Sequence, residues 1–435
     1  MGGDGCVDRT ATLHDDVTSH LGGVRIGCRH HELFGHHGFA RASLCHHENG
    51  KQGSGQTAGL ETDHERQSPW VARIEARAIL GACGKARKQH HMGKNMAEHA
   101  VRPGPNNLVT DVEGILVGHA EDLGARSGTT VVLPEPRCVA AVDVRGGAPG
   151  TRDTHALDPT CLVDHVDAVV LSGGSAFGLD AAGGVMSWLT AQGRGFRVGE
   201  AVVPIVPAAI LFDLANGGDK TWGELPPYRD LGRRAVAAAG KTFDLGNIGA
   251  GLGAKAGHLK GGLGSASSVS DDGLQVGVLV AVNAVGSAVI PGTATLWSAP
   301  YEQTDEMGSA PRDLPDGDLP LDAVVGGFPG ENTTVAVVAT NATLDKAQAQ
   351  RVAIMAHDGL ARAIRPIHTP FDGDTVFSLA TARDAREIGS GRLAVIGGLA
   401  ADCLTRAVGR AMVAAKSLGD MKSYGDWRVD HTGIA

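Results

Sequence analysis

Asn332-Thr333-Thr334 stands where a Pro/Gly/Asp-rich stretch, about 311–330, gives way to an apolar run, Val335-Ala336-Val337-Val338-Ala339. A hydroxyl residue at the join of a loop and a buried strand has two readings. It is an ordinary strand threonine, or it is a nucleophile that attacks the carbonyl in front of it. In the second reading Thr333 breaks the Asn332–Thr333 bond and becomes a new N-terminus. Its α-amine, with a reference pKa of roughly 8, then serves as general base for its own hydroxyl. That is the threonine form of a nucleophile activated by an N-terminal amine.

Other groups along the chain have chemistry that such a site needs. Asn283 ends an apolar run over 276–283. An asparagine there is a turn former, or a side-chain N–H donor of the kind that holds an oxyanion. Asp372 and Asp374 flank Gly373 at the mouth of a further run, Thr375-Val376-Phe377-Ser378-Leu379-Ala380. Such carboxylates either make a turn or orient an ammonium or hydroxyl, and their mutual repulsion shifts a pKa. Read as loop residues, they are expected to contribute little to stability. A Gly-rich turn over 172–178, with Gly174 and Ser175, lies between a strand and a helix. Backbone N–H groups gather at such a turn for an anion or oxyanion, or the glycines simply let the helix pack close to the sheet. Ser175 is not in a G-x-S-x-G elbow. The run over 246–255 lacks the phosphate-loop pattern, and no clear strand precedes its glycines.

The elements that must position these groups follow from periodicity and turn residues. Strands are expected over 129–133, 138–144, 167–171, 209–214, 276–283, 335–339 and 375–380. Helices are expected up to about 192, near 230–239, from an N-cap at Thr343 to 364, and over 397–418. The stretch from Gly246 through His258, Lys260, Gly261 and Gly262 to Ser267 reads as one glycine-rich loop.

Composition narrows the class. The chain has 435 residues, 42% hydrophobic, with 63 glycines and 4% aromatics. Glycine at about twice its usual share without a repeat points to tight turns and close layer packing. A net charge of −9 and a pI near 6.1, with no basic stripe, argue against nucleic acid as partner. No apolar run reaches ~18 residues, so no membrane partner is expected. Seven cysteines without a paired framework fit a reducing compartment, and a cytoplasmic location is expected.

Residues 1–105 differ from the rest, holding 12 of the 19 histidines and four of the seven cysteines. Apart from a short helical pattern over 71–80, the segment has no core periodicity. Cys28/His30-His31 and Cys45/His46-His47 do not have zinc-ligand spacing, and no metal or cofactor is expected. The segment reads as a disordered or spurious extension, ahead of a single domain over 106–435.

Together, the Asn332-Thr333-Thr334 strand opening, Gly249-Ala250-Gly251, Lys260-Gly261-Gly262 and Asp372-Gly373-Asp374-Thr375-Val376-Phe377 resemble the P1 family of self-processing peptidases, peptidase family S58. This is the family of DmpA-type D-aminopeptidase/esterases, β-peptidyl aminopeptidases and nylon-oligomer hydrolases. The resemblance covers about 107–435. It implies an α/β fold, an αββα sandwich, and a precursor that cleaves itself into subunits 106–332 and 333–435. It implies Thr333 as nucleophile, Asn283 at the oxyanion, Asp372 and Asp374 as orienting groups, and small peptides or amides as substrates. A homo-oligomer, tetrameric or larger, is implied as well. The nylon-hydrolase-like members carry a lysine where this chain has His258, so Lys260 or Lys255 is left to supply that charge. Phe212, beside Gly174 and Ser175 in the expected substrate site, replaces a tyrosine and cannot donate a hydrogen bond. An acyltransferase on a similar fold, of the ornithine acetyltransferase kind, and a non-catalytic small-molecule-binding protein are the alternatives.

Overall fold

The computed structural model describes residues 100–308, 312 and 332–432. The strands are β1 (Val101–Arg102), β2 (Ile115–Asp122), β3 (Ser127–Pro134), β4 (Cys138–Val144), β5 (Thr151–Arg152), β6 (His165–Val166), β7 (Val169–Ser172), β8 (Phe196–Val198), β9 (Ala201–Val203), β10 (Ala208–Ile210), β11 (Lys255–Ala256), β12 (Leu259–Lys260), β13 (Gly262–Ser270), β14 (Gln275–Val282), β15 (Val335–Ala342) and β16 (Thr375–Asp384). The helices are α1 (Ala181–Ala191), α2 (Tyr228–Ala237), α3 (Lys346–Ala363), α4 (Ser390–Ala414) and α5 (Tyr424–Thr432).

Among the described residues, seven strands form one sheet in the order β1-β13-β14-β15-β16-β4-β6, and five form a second, β2-β3-β7-β10-β5. Three cores separate four layers. Between the sheets, Val117, Val132 and Leu171 of the smaller pack with Leu279, Val337 and Phe377 of the larger. On the far side of the larger sheet, Val278, Val338 and Val376 meet Val352 and Leu360 of α3 and Leu404 and Val408 of α4. On the far side of the smaller sheet, Val131 and Val170 meet Val185 and Leu189 of α1 and Leu231 and Val236 of α2. Each such buried valine or leucine contributes roughly 1.5–3 kcal/mol. This is the expected αββα sandwich.

The unbroken apolar sequence of β15 follows from its place in the middle of these layers. Val335, Val337 and Ala339 face the inter-sheet core, while Ala336 and Val338 face the helices. A strand buried on both faces has no polar side to alternate with. β15 runs parallel to β16 with Val335 opposite Thr375, and antiparallel to β14 with Val335 opposite Ala281. The parallel register continues beyond the strand ends, where Asn332 pairs with Asp372.

Several boundaries differ from expectation. Val101 of β1 pairs with Ser270 of β13, so the fold takes up the chain ahead of residue 106. Gly262–Ser270, expected as loop, is a strand. A Cβ at Gly264 would collide with the Ala407 carbonyl of α4, so glycine here allows close packing and does not mark a turn. The N-cap of α3 is Asp345, not Thr343. Asp345 accepts the Gln348 N–H at 2.7 Å, and the Gln348 side chain accepts the Asp345 N–H at 3.0 Å. That reciprocal box satisfies two donors where a lone hydroxyl satisfies one, and the Thr343 hydroxyl donates to the Asp384 carbonyl instead. β10 stops at Ile210, short of the expected 214, and α4 starts at Ser390, ahead of the expected 397. The stretch 311–330 (Arg312 apart), the helical pattern at 71–80 and the Cys/His pairs at Cys28 and Cys45 lie outside the described residues.

Candidate active site

The ends of β14, β15 and β16 come together at Thr333. Its N–H donates to the Asn283 carbonyl at 2.5 Å, on the β14 side. On the β16 side, the Gly373 N–H donates to the Asn332 carbonyl at 3.1 Å. That same carbonyl accepts the Thr333 hydroxyl at 2.6 Å, and Asn332, Thr333 and Thr334 are all buried. A hydroxyl therefore sits against the carbonyl of its own peptide bond, with a fixed backbone N–H already on the oxygen. Such a donor stabilises negative charge if it develops there.

Asp372 and Asp374 are fully buried, unlike the solvated turn residues that their sequence suggests. Asp372 accepts the Val285 N–H at 3.1 Å with one oxygen, and the Thr369 N–H at 2.8 Å and hydroxyl at 2.6 Å with the other. Burial, and then the neighbouring Asp374 carboxylate, push the Asp372 pKa above the usual range despite these bonds. Asp374 accepts the Thr334 N–H at 2.8 Å, and on its other oxygen the His368 N–H at 3.1 Å and Nδ1 at 2.8 Å. The pair thus grips the backbone on both sides of Thr333, through Val285 and through Thr334.

Asn283 is positioned by its own amide. Its Oδ1 accepts the Lys255 N–H at 2.9 Å and its Nδ2 donates to the Phe212 carbonyl at 3.2 Å. Lys260 is fully buried, and its Nζ donates to the carbonyls of Gly251 at 2.9 Å and Gly261 at 2.7 Å. Burial lowers its pKa to about 7, with Asp213 acting in the opposite direction. Asp213 is itself raised to about 6 by burial. Of the two lysines considered, Lys255 has an exposed side chain. His258 packs edge-on to Trp427 at 5.8 Å.

At the expected substrate residues the backbone donors are already used. The Gly174 N–H donates to Asp213 at 2.8 Å and the Ser175 N–H to the Leu211 carbonyl at 3.0 Å. Both residues take left-handed backbone, φ 88° and 51°, which glycine adopts freely. Phe212 is half-buried and meets the site through its carbonyl.

Three further neighbours of the site were not assigned roles from sequence. Gly373 must lack a side chain, because a Cβ there would stand 2.6 Å from Thr333 Oγ1 and 2.7 Å from the Ala148 carbonyl. Its sequence signal is the glycine between two carboxylates. The loop after β4 reaches the site because β4 pairs with β16, and its Arg145 and Ala148 N–H groups donate to Asp374 and Asp372 carbonyls at 3.0 and 2.8 Å. That long-range pairing has no local signal. His368 is the third. Among the described residues, no three His, Cys, Asp or Glu side chains gather as a metal site, and no helix is long and apolar enough to cross a membrane.

Comparison with known proteins gives the family. The profile described as peptidase family S58 matches residues 107–424. An uncharacterized aminopeptidase of Mycobacterium tuberculosis is 45% identical over 339 residues, 74% of this chain and 97% of that protein. Among solved structures, the β-aminopeptidase of a Burkholderia species is 22% identical, with a TM-score of 0.57 over 77% of this chain and 97% of that one. The L-aminopeptidase D-Ala-esterase/amidase of Ochrobactrum anthropi, described as a variant of the Ntn-hydrolase fold, is 18% identical, with a TM-score of 0.52 over 76% and 96%. These two share the fold. The chain belongs to peptidase family S58, a family of hydrolases.

Proposed function

We propose that this protein is a self-processing aminopeptidase or amidase whose nucleophile is Thr333. The observation that carries the reading is the 2.6 Å bond from the Thr333 hydroxyl to the Asn332 carbonyl, with the Gly373 N–H on the same oxygen. Rotation about χ1 moves the hydroxyl oxygen from the carbonyl oxygen toward the carbonyl carbon. Attack forms the Oγ–C bond and breaks the C–N bond, and the hydroxyl proton passes to the departing nitrogen. Water then hydrolyses the ester, leaving an Asn332 carboxylate and a free Thr333 amine.

In the mature enzyme that amine remains beside the Asn283 carbonyl, its 2.5 Å partner in the unbroken chain. It takes the proton of its own hydroxyl as the hydroxyl attacks an amide, and gives it to the leaving amine. The Asn283 amide and the Gly373 N–H are the donors to the oxyanion. Asp372 and Asp374 fix the direction of the nucleophile, and Lys260, when protonated below its pKa of about 7, supplies positive charge behind the Gly251 and Gly261 carbonyls. The substrates are small peptides or amides with a free amino end, turned over without a cofactor. The working form is a cytoplasmic homo-oligomer in which each copy is cut between Asn332 and Thr333, with β1 kept in the larger subunit. Thr333→Ala tests the assignment: it leaves the chain uncut and without amidase activity.

A further inference from the structure

Behind Asp374 lies a pair of histidines to which neither the motif nor the reaction above gives a part. His368 binds Asp374 twice, through its N–H at 3.1 Å and its Nδ1 at 2.8 Å. It does so from a left-handed backbone, φ 58°, which is uncommon for a residue with a Cβ and indicates a conformation imposed by its surroundings. Its ring meets that of His357 nearly edge-on, at 4.8 Å and 74°. His357 is buried, with Nε2 on the Asp143 carbonyl at 3.1 Å. Burial holds its pKa near 4. With a proton on Nε2, its Nδ1 carries a lone pair. Among the described residues, His357 Nδ1 and His368 Nε2 are buried atoms without hydrogen-bond partners.

The bonds run in one direction. Asp143 fixes His357, and His357 walls in the His368 ring. His368 Nδ1 takes one oxygen of Asp374, and the other oxygen holds the Thr334 N–H, one residue from Thr333. A carboxylate can turn about its own bond, and the ring Nδ1, at 2.8 Å, holds the first of these oxygens more closely than the His368 backbone N–H does at 3.1 Å. We propose that His368 is a positioning residue for this reaction, acting through Asp374 to fix the backbone at Thr334 and so the aim of the Thr333 hydroxyl. The inference rests on Thr333 being the nucleophile. It predicts a loss in the chemical step and not in substrate binding, because the His368 side chain bonds to Asp374 and packs on His357, behind the reacting groups.

The experiment compares His368→Ala and His368→Asn with wild type. Asparagine tolerates the left-handed backbone and keeps a side-chain N–H close to the place of Nδ1. His368→Ala should slow self-cleavage and lower kcat by ~100-fold, the scale of a misaimed nucleophile, with KM within about 3-fold. His368→Asn should recover all but about 10-fold of both rates. Two results would overturn the proposal: wild-type rates in His368→Ala, or no recovery in a folded His368→Asn. If His368→Ala does not fold, His368→Asn decides by its own cleavage rate and its kcat and KM. Failure of the underlying reading shows elsewhere, in a wild-type chain that is not cut at Asn332–Thr333.

Discussion

Thr333 and Gly373 lie side by side at the open ends of two parallel strands, with the Gly373 N–H on the Asn332 carbonyl at 3.1 Å. A Cβ on Gly373 would stand 2.6 Å from Thr333 Oγ1, closer than nonbonded atoms tolerate. Gly373→Ala should therefore displace the hydroxyl or the N–H that faces its target. We expect self-cleavage slowed at least ~100-fold, on the scale of losing one oxyanion donor, in a chain that still folds. Cleavage at a wild-type rate would show that the close approach is incidental.

The carboxylates give a prediction that departs from their appearance in sequence. As exposed turn residues they would matter little to folding, but both are fully buried and each accepts three hydrogen bonds. Asp374→Asn turns one acceptor oxygen into an N–H₂ that faces an N–H donor, Thr334 or His368. The cost should be about 1–3 kcal/mol of stability, along with slower self-cleavage. Urea unfolding of the uncut Thr333→Ala chain with and without Asp374→Asn isolates the stability effect, and unchanged stability would contradict the burial.

Thr334 separates the two adjacent hydroxyls. Its Oγ1 is buried with no partner among the described residues, while its N–H is held by Asp374. Thr334→Val keeps the shape and removes the unpaired oxygen, so stability should be equal or higher. Processing should continue within a few-fold of wild type. An uncut, folded Thr334→Val chain would move the nucleophile by one residue.

Lys260 makes stability depend on pH. Its pKa falls from 10.5 to about 7 in the folded protein, so between those values the unfolded chain binds more protons than the folded one. Stability carried by this group therefore rises with pH across the window, by up to about 1.4 kcal/mol per unit, and levels off below pH 7. Lys260→Met has no such group. The stability difference, wild type minus variant, should grow from pH 7 to pH 9 in denaturant titrations. A flat difference would place the lysine pKa near its ordinary value.

β15 declares itself in the sequence through the unbroken apolar run Val335–Ala339, because a strand buried on both faces has no polar side. Thr333, Asp372 and Asp374 were visible as hydroxyl and carboxylates at strand mouths. The register that places Gly373 beside Thr333 was not, because it is fixed by the pairing of strands about forty residues apart. Glycine hid β13, where Gly264 serves close packing against α4 and only resembles a turn residue. The place of Asn283 at the end of a strand was readable, whereas the bond from the Thr333 N–H to its main-chain carbonyl was not.

Self-cleavage at Asn332–Thr333 is read out by the intact mass of freshly purified wild-type protein under denaturing conditions, with N-terminal sequencing. Cleavage at Thr333 predicts two chains, the smaller running from Thr333 to Ala435 and beginning Thr-Thr-Val-Ala. The two should stay together without denaturant, since β15 lies between β14 and β16 and the buried Arg406 pairs with Glu306 across the cut. A single full-length chain that hydrolyses amides would contradict the account.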